Sequence, residues 1–274
     1  MTSKIPVFSS SLASIFEGYV KEKHAVGYKY NKGAVTLKRL DNLLIRENVI
    51  EKSLTQEVVL LWTAKNKTET DKNRGQRISI VRGIAQYMVK LGYDAYVFPD
   101  KATSVDRYNY VPYIFSEKEL KALFTAVDNT PVSSVSPYRH LALPLLFRML
   151  YGCGLRISEA LNLKTTDVNL EDGILTIHQA KLNKERFVPM ADALVQRCRS
   201  YSRIAHNNCS NGTYFFLTYL GDKYSTAYIY DYFRKCLWKA DISHGGRGQG
   251  PRLHDLRHTY SVHCLKNGSW VVMI

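Results

Sequence analysis

Between residues 10 and 92 apolar positions recur every three to four residues, the spacing of one-sided helices. Leu12, Ile15, Phe16, Tyr19 and Val20 mark a first helix. Val35, Leu37, Leu40, Leu43 and Leu44 mark a second over 33–47. Val58, Val59, Leu61 and Trp62 mark a third near 55–65, with Thr55 placed to cap its N-terminus. Ile78, Val81, Ile84, Ala85, Met88 and Leu91 mark a fourth over 72–91, closed by Gly92. The period lapses over 93–113, where Tyr93, Pro99, Asp100 and Pro112 read as a linker. It resumes at Ser116-Glu117-Lys118-Glu119, a capping box that opens onto Leu120, Leu123, Phe124 and Val127. An apolar helix over 138–151 is broken by Gly152 and Gly154, and a short helix restarts over 156–163.

Over 173–190 the period drops to two. Leu175 and Ile177 alternate with Ile174, Thr176 and His178, Asn183 offers a turn, and Arg186-Phe187-Val188-Pro189 returns. This predicts a β-hairpin with Lys181 and Lys184 at its tip. Helical patterns return over 191–204 and 225–240. The glycine-rich stretch 245–250 reads as a loop, without the Gly-Lys-Ser/Thr that would cradle a phosphate. The pattern predicts two domains: a helical one over 1–105, and one over 106–274 that is α+β, mainly helical with a small antiparallel hairpin.

Composition narrows the class. Of 274 residues, 45% are hydrophobic and 23% charged, which supports a core and excludes a disordered chain, a collagen-like fibre and a disulfide scaffold. Five cysteines, an odd number without Cys-x-x-Cys spacing, read as reduced thiols in a cytoplasmic protein. No apolar run is long enough to span a membrane. Lys and Arg number 38 against 24 Asp and Glu, a net charge of +14. The excess is spread along the chain: 17 against 11 up to residue 106, and 21 against 13 beyond it. A basic body of this kind suits a polyanion such as nucleic acid, or serves solubility. Lys38, Arg39, Arg74, Arg77 and Arg82, on the second and fourth helices, form either a solvated face or a phosphate-contacting one.

Four residues at structural breaks can carry chemistry. Arg156 opens a helix directly after Gly152-Cys153-Gly154-Leu155; His254 and Arg257, three apart, share a face if helical; Lys181 sits at the hairpin tip. Two guanidinium groups can each hold a non-bridging phosphate oxygen through paired hydrogen bonds, and Lys or His can move a proton. Arginines supply the positive charge, so no metal or other cofactor is required. Each residue also has a plain surface reading. His254 and His258 have the spacing of a zinc pair, but the Glu of His-Glu-x-x-His is missing and no third ligand is evident.

These segments resemble a family. Gly152-Cys153-Gly154-Leu155-Arg156-Ile157-Ser158-Glu159-Ala160-Leu161-Asn162-Leu163 is similar to the first signature box of the tyrosine recombinases, or phage integrases. Asp167-Val168 and the run Lys181 to Pro189 resemble the family's β-hairpin, and His254-Asp255-Leu256-Arg257-His258-Thr259-Tyr260 resembles its second box. The helical N-terminal region is similar in architecture to the family's SAM-like core-binding domain.

The resemblance implies that Arg156 and Arg257 clamp the scissile phosphate, Lys181 protonates the leaving 5′ oxygen, His254 assists proton transfer and Glu159 braces the site. It implies double-stranded DNA as partner, gripped by both domains as a clamp, a 3′-phosphotyrosine intermediate, and a tetramer of recombinase protomers on two DNA sites. The sequence departs from the family in one respect. Only 17 residues follow Arg257, none reading Leu-Gly-His, and their one tyrosine, Tyr260, falls where the family places an aromatic core residue. The expectation is a member truncated before its nucleophile, which binds DNA without cleaving it. The alternatives are a tyrosine supplied in trans and a non-catalytic DNA-binding or regulatory protein on the same fold.

Overall fold

A computed structural model describes residues 6–99, 111–178, 185–207, 212–246 and 250–267. Lys181, Asn183, Lys184 and Cys209 lie outside the described residues. The chain divides into two compact units, Met1–Asn109 and Tyr110–Ile274.

The first unit holds α1 (Ala13–Ala25), α2 (Asn31–Arg46), α3 (Gln56–Thr63) and α4 (Asp71–Lys90). Thr55 caps α3, its side chain accepting from the Val58 N–H. Phe16, Val20, Leu37, Leu40, Leu44, Val59, Ile78, Val81, Ile84 and Met88 are fully buried together, as their spacing predicts. Val35, Leu61 and Leu91 are instead about half exposed. Val35 lies two residues from Leu37 and so points well round the helix, while Val59 and Trp62 take the inward side of α3.

Arg39 is exposed, whereas the other basic residues of this group have partners within the unit. Arg77 pairs with Glu69 and donates to the carbonyls of Trp62 and Ala64; Arg74 Nε donates to the Thr63 carbonyl at 2.8 Å. Together they satisfy carbonyls at the end of α3, which a helix C-terminus leaves without partners. Arg82 donates to the carbonyls of Phe98 and Pro99, and Lys38 Nζ lies 2.7 Å from Asp41 Oδ2.

The second unit is built round α6 (Arg139–Gly152), whose residues from Ala142 to Tyr151 are all buried. Against it pack α5 (Glu117–Asp128), α8 (Asp192–Ala205) and α10 (Asp255–Asn267); α9 (Thr226–Lys239) packs on α5, and the short α7 (Ile157–Asn162) follows α6. The capping box of α5 forms: Ser116 Oγ accepts from the Glu119 N–H, and Glu119 Oε2 accepts from the Ser116 N–H at 2.8 Å. The predicted hairpin is part of a three-stranded antiparallel sheet, β1 (Val168–Asn169), β2 (Ile174–His178) and β3 (Glu185–Pro189). Leu175 and Ile177 of β2 are buried as the alternation requires. The register sets Val188 opposite Leu175 and Arg186 opposite Ile177, so Arg186 projects from the core-facing side of the sheet. The fold is thus mainly α with one small antiparallel sheet, as the pattern predicts. Among the described residues no helix is long and apolar enough to cross a membrane. Cys153, Cys198 and Cys236 carry free thiols, and burial pushes them up to about 12, 12 and 11.

Asp41, fully buried on α2, ties down the segment before α1. Its carboxylate accepts from the Ser9 and Ser10 N–H groups and from Lys38. Burial raises its pKa, but these hydrogen bonds outweigh it and the net shift is downward. Asp41→Ala leaves the buried donors without a partner and is expected to lower the stability of this unit by about 3 kcal/mol, read as a lower urea midpoint at unchanged slope.

Candidate phosphate-binding site

The site begins where α6 stops. Gly154, just past the helix end, has φ +57°, a conformation that favours glycine. A Cβ there would stand 2.7 Å from Tyr260 Cδ1, so the Tyr260 ring of α10 fits against this turn only because the position is glycine. The chain then extends through Arg156, the residue preceding α7.

Glu159, in the first turn of α7, is the centre of the arrangement. Its Oε2 accepts from the Arg156 N–H at 2.8 Å, and its Oε1 from Arg156 Nη1 at 2.8 Å. From β3, Arg186 approaches the same carboxylate through two hydrogen bonds of 3.1 and 2.8 Å. From α10, Arg257 Nη1 lies 3.8 Å from Glu159 Oε2 and donates to the Gly154 carbonyl. Three guanidinium groups therefore surround one carboxylate, which among the described residues balances one of their three charges. Glu159 is 11% exposed and Arg156 is 52% exposed, so the carboxylate is interior and Arg156 presents its free donors outward. Burial raises the Glu159 pKa, but hydrogen bonds from Arg186 and Arg156 outweigh it and hold the carboxyl at about 2.

The candidates Arg156, Glu159 and Arg257 are brought together. His254 is exposed and stands immediately before α10. Its carbonyl accepts from the Arg257 N–H at 3.1 Å, which keeps it at the entrance to the same helix. Burial lowers its pKa, and the charges of His258, Arg257 and Arg156 lower it further. A neutral imidazole beside two arginines can accept a proton. The His254 and His258 rings meet edge to face at 4.8 Å. Among the described residues no group of three or more His, Cys, Asp or Glu is placed to share a metal ion.

Arg186 was not among the sequence candidates. Its signal was present: a charged residue in the inward phase of a strand needs an anion to face it, and Glu159 is that anion. At the base of the hairpin His178 links Asp167 and Glu185, its two ring nitrogens 3.1 and 2.8 Å from their carboxylates. These hydrogen bonds raise its pKa.

Because the Glu159 carboxyl sits near 2 in the folded protein and at 4.5 otherwise, its stabilising effect is complete above pH 4.5 and disappears as pH falls through 2. Glu159→Gln should therefore be less stable than the parent by about 3 kcal/mol at pH 7, with the gap closing as pH drops below 4.5. Urea titrations of both proteins across this range check it. In an NMR titration, the His178 imidazole should have its midpoint above 6.5 and the His254 imidazole below it.

Comparison with known proteins agrees with this geometry. Residues 114–273 match the phage integrase family. Tyrosine recombinase XerD of Staphylococcus aureus is 25% identical over 80% of this chain and 71% of its own. Among solved structures, XerH site-specific recombinase bound to a palindromic difH substrate aligns with 95% of this chain and 75% of its own, at a TM-score of 0.67 and 19% identity. Lambda integrase residues 75–356 bound to DNA aligns with 94% and 88%, at 0.63 and 16%. The two structural likenesses speak for the fold. The family match spans more than half of the chain and includes Arg156, Glu159, Arg186, His254 and Arg257; the chain belongs to the phage integrase family.

Proposed function

We propose that this chain is a DNA-binding member of the tyrosine recombinases in which Arg156 and Arg257 grip a single phosphate of double-stranded DNA. The observation that carries the reading is the convergence of three guanidinium groups on Glu159, which among the described residues balances one of their three charges. A phosphodiester supplies the missing negative charge, and its two non-bridging oxygens suit paired guanidinium donors. Arg186 and Glu159 hold the pair in place. His254, neutral at pH 7, takes or returns the proton of the reacting oxygen, and Lys181 serves the leaving 5′ oxygen. The helical region 1–105 acts as the core-binding domain on the same duplex, and further protomers complete a tetramer on two sites. A DNA-acting role of this kind suits a cytoplasmic protein.

We further infer that Tyr260 does not supply the attacking oxygen. Tyr260, the chain's one tyrosine beyond Arg257, is packed against Gly154 and 6.3 Å from the Tyr151 ring. Burial and the neighbouring Cys264 raise its pKa, the opposite of what an attacking phenol requires.

Two measurements test the reading. If about 6–10 phosphates are contacted, duplex affinity should fall by about 10³–10⁵ between 50 and 200 mM salt. Arg156→Ala and Arg257→Ala should each weaken binding. A response flat with salt removes DNA as the partner. On a nicked suicide duplex, Tyr260→Phe should leave the yield of covalent adduct in a denaturing gel unchanged; an adduct formed by the parent and lost in Tyr260→Phe overturns the reading of Tyr260.

A further inference from the structure

At the far end of α7 from Arg156 lies a second group of cations. Lys164 Nζ stands 3.4 Å from the centroid of the Tyr214 ring and Lys223 Nζ 5.5 Å from the same centroid. Main-chain bonds hold all three in place. Lys164 and Tyr214 form an antiparallel bridge, flanked by Thr165 N–H to the Thr213 carbonyl at 2.9 Å and Phe215 N–H to the Leu163 carbonyl at 2.8 Å. Lys223 bridges to Leu217 across a turn, and its Nζ donates to Asn162 Oδ1 at 2.5 Å. Among the described residues neither ammonium has a carboxylate partner. Asp167, close in sequence, is occupied by the Lys164 N–H and by His178.

One ring face satisfies one cation. Two ammonium groups near one ring, with no carboxylate partner among the described residues, repel each other, and an anion that reaches both relieves that repulsion. We infer that Lys164, Lys223 and Tyr214 form a second phosphate clamp, which takes a non-scissile phosphate of the DNA duplex. This rests on the DNA-binding reading above and extends it. Asn162 is the last residue of α7 and Arg156 precedes its first, a separation of about 9 Å along the axis. The clamp therefore takes a different phosphate of the duplex from the one held by Arg156.

The test is the salt dependence of duplex binding by the full chain, measured by fluorescence anisotropy with a labelled duplex of mixed sequence. Lys164→Ala/Lys223→Ala should reduce the log–log salt slope by about 0.9, so that the parent loses about 3.5-fold more affinity than the variant between 50 and 200 mM salt. Because alanines could disturb packing on Tyr214, Lys164→Arg/Lys223→Arg is the second variant; it keeps both charges and should keep the parent slope. If the parent binds steeply with salt and the alanine pair keeps that slope, the clamp is overturned while the DNA reading stands. If the arginine pair, with an unchanged circular dichroism spectrum, loses the slope as the alanine pair does, the effect was packing and the clamp is likewise overturned. A parent that shows no salt-dependent binding removes both.

Discussion

One buried carboxylate organises the charged centre of the second unit. Two guanidinium ions about 4 Å apart near a protein surface repel by about 4 kcal/mol. Three can be kept together only by an anion that reaches all of them, and Glu159 does so from a single helix turn. Its geometry explains the choice of residue. One carboxylate oxygen accepts from the backbone and another from the side chain of Arg156, while the pair together meets the two-pronged guanidinium of Arg186. A lysine at 186 would offer a point charge in place of that fork. The carboxylate neutralises one charge of three, so the site stays cohesive without the ligand and remains attractive to it.

The surrounding fold makes this meeting possible from three distant stretches of chain. Arg156 is delivered by the abrupt end of α6, where Gly154 lets the backbone reverse and lets the Tyr260 ring close beneath it. Arg257 is delivered by α10, which packs on α6 and donates back to Gly154. Arg186 is delivered by sheet register: a slip of one residue between β2 and β3 would turn it away from Glu159. The same turn, strand phase and helix contact that build the core therefore also aim the guanidinium groups, and packing changes at Gly154 or in the hairpin act on the site through Glu159.

Much of this was legible in the sequence because it is local. The Ser116 capping box, the Thr55 cap, the alternation of Leu175 and Ile177 and the break at Gly152–Gly154 all depend on neighbours within a few residues. The Arg156–Glu159 pair, three residues apart, belongs to the same class. Arg186 was missed because its meaning lies in a contact 27 residues away in sequence, set by register. The partners of three arginines in the first unit were hidden for a related reason. Composition counts charges but does not say where they point, and Arg74, Arg77 and Arg82 point at main-chain carbonyls. His254 stands at the start of α10, where its carbonyl accepts from the Arg257 N–H, so the spacing of three places both at one helix end.

The arrangement separates holding a phosphate from attacking it. Catalysis by preorganised charge requires donors fixed before the reaction begins, and here they are fixed by Glu159, Gly154 and strand register, with no contribution from a phenol. Tyr260 contributes to the site by filling space under the turn that aims Arg156; its hydroxyl has burial and Cys264 opposing ionisation. Its loss would therefore disturb the arginines before it removed any nucleophile. Ground-state affinity for a phosphodiester rests on charges already in place, whereas strand cleavage needs in addition an oxygen that can be deprotonated in line with the phosphorus. On the proposed reading the first requirement rests on residues 154–257, where the guanidinium groups are already assembled. Phosphate affinity is then a property of the arginine centre itself, independent of which tyrosine, from which chain, is brought against it.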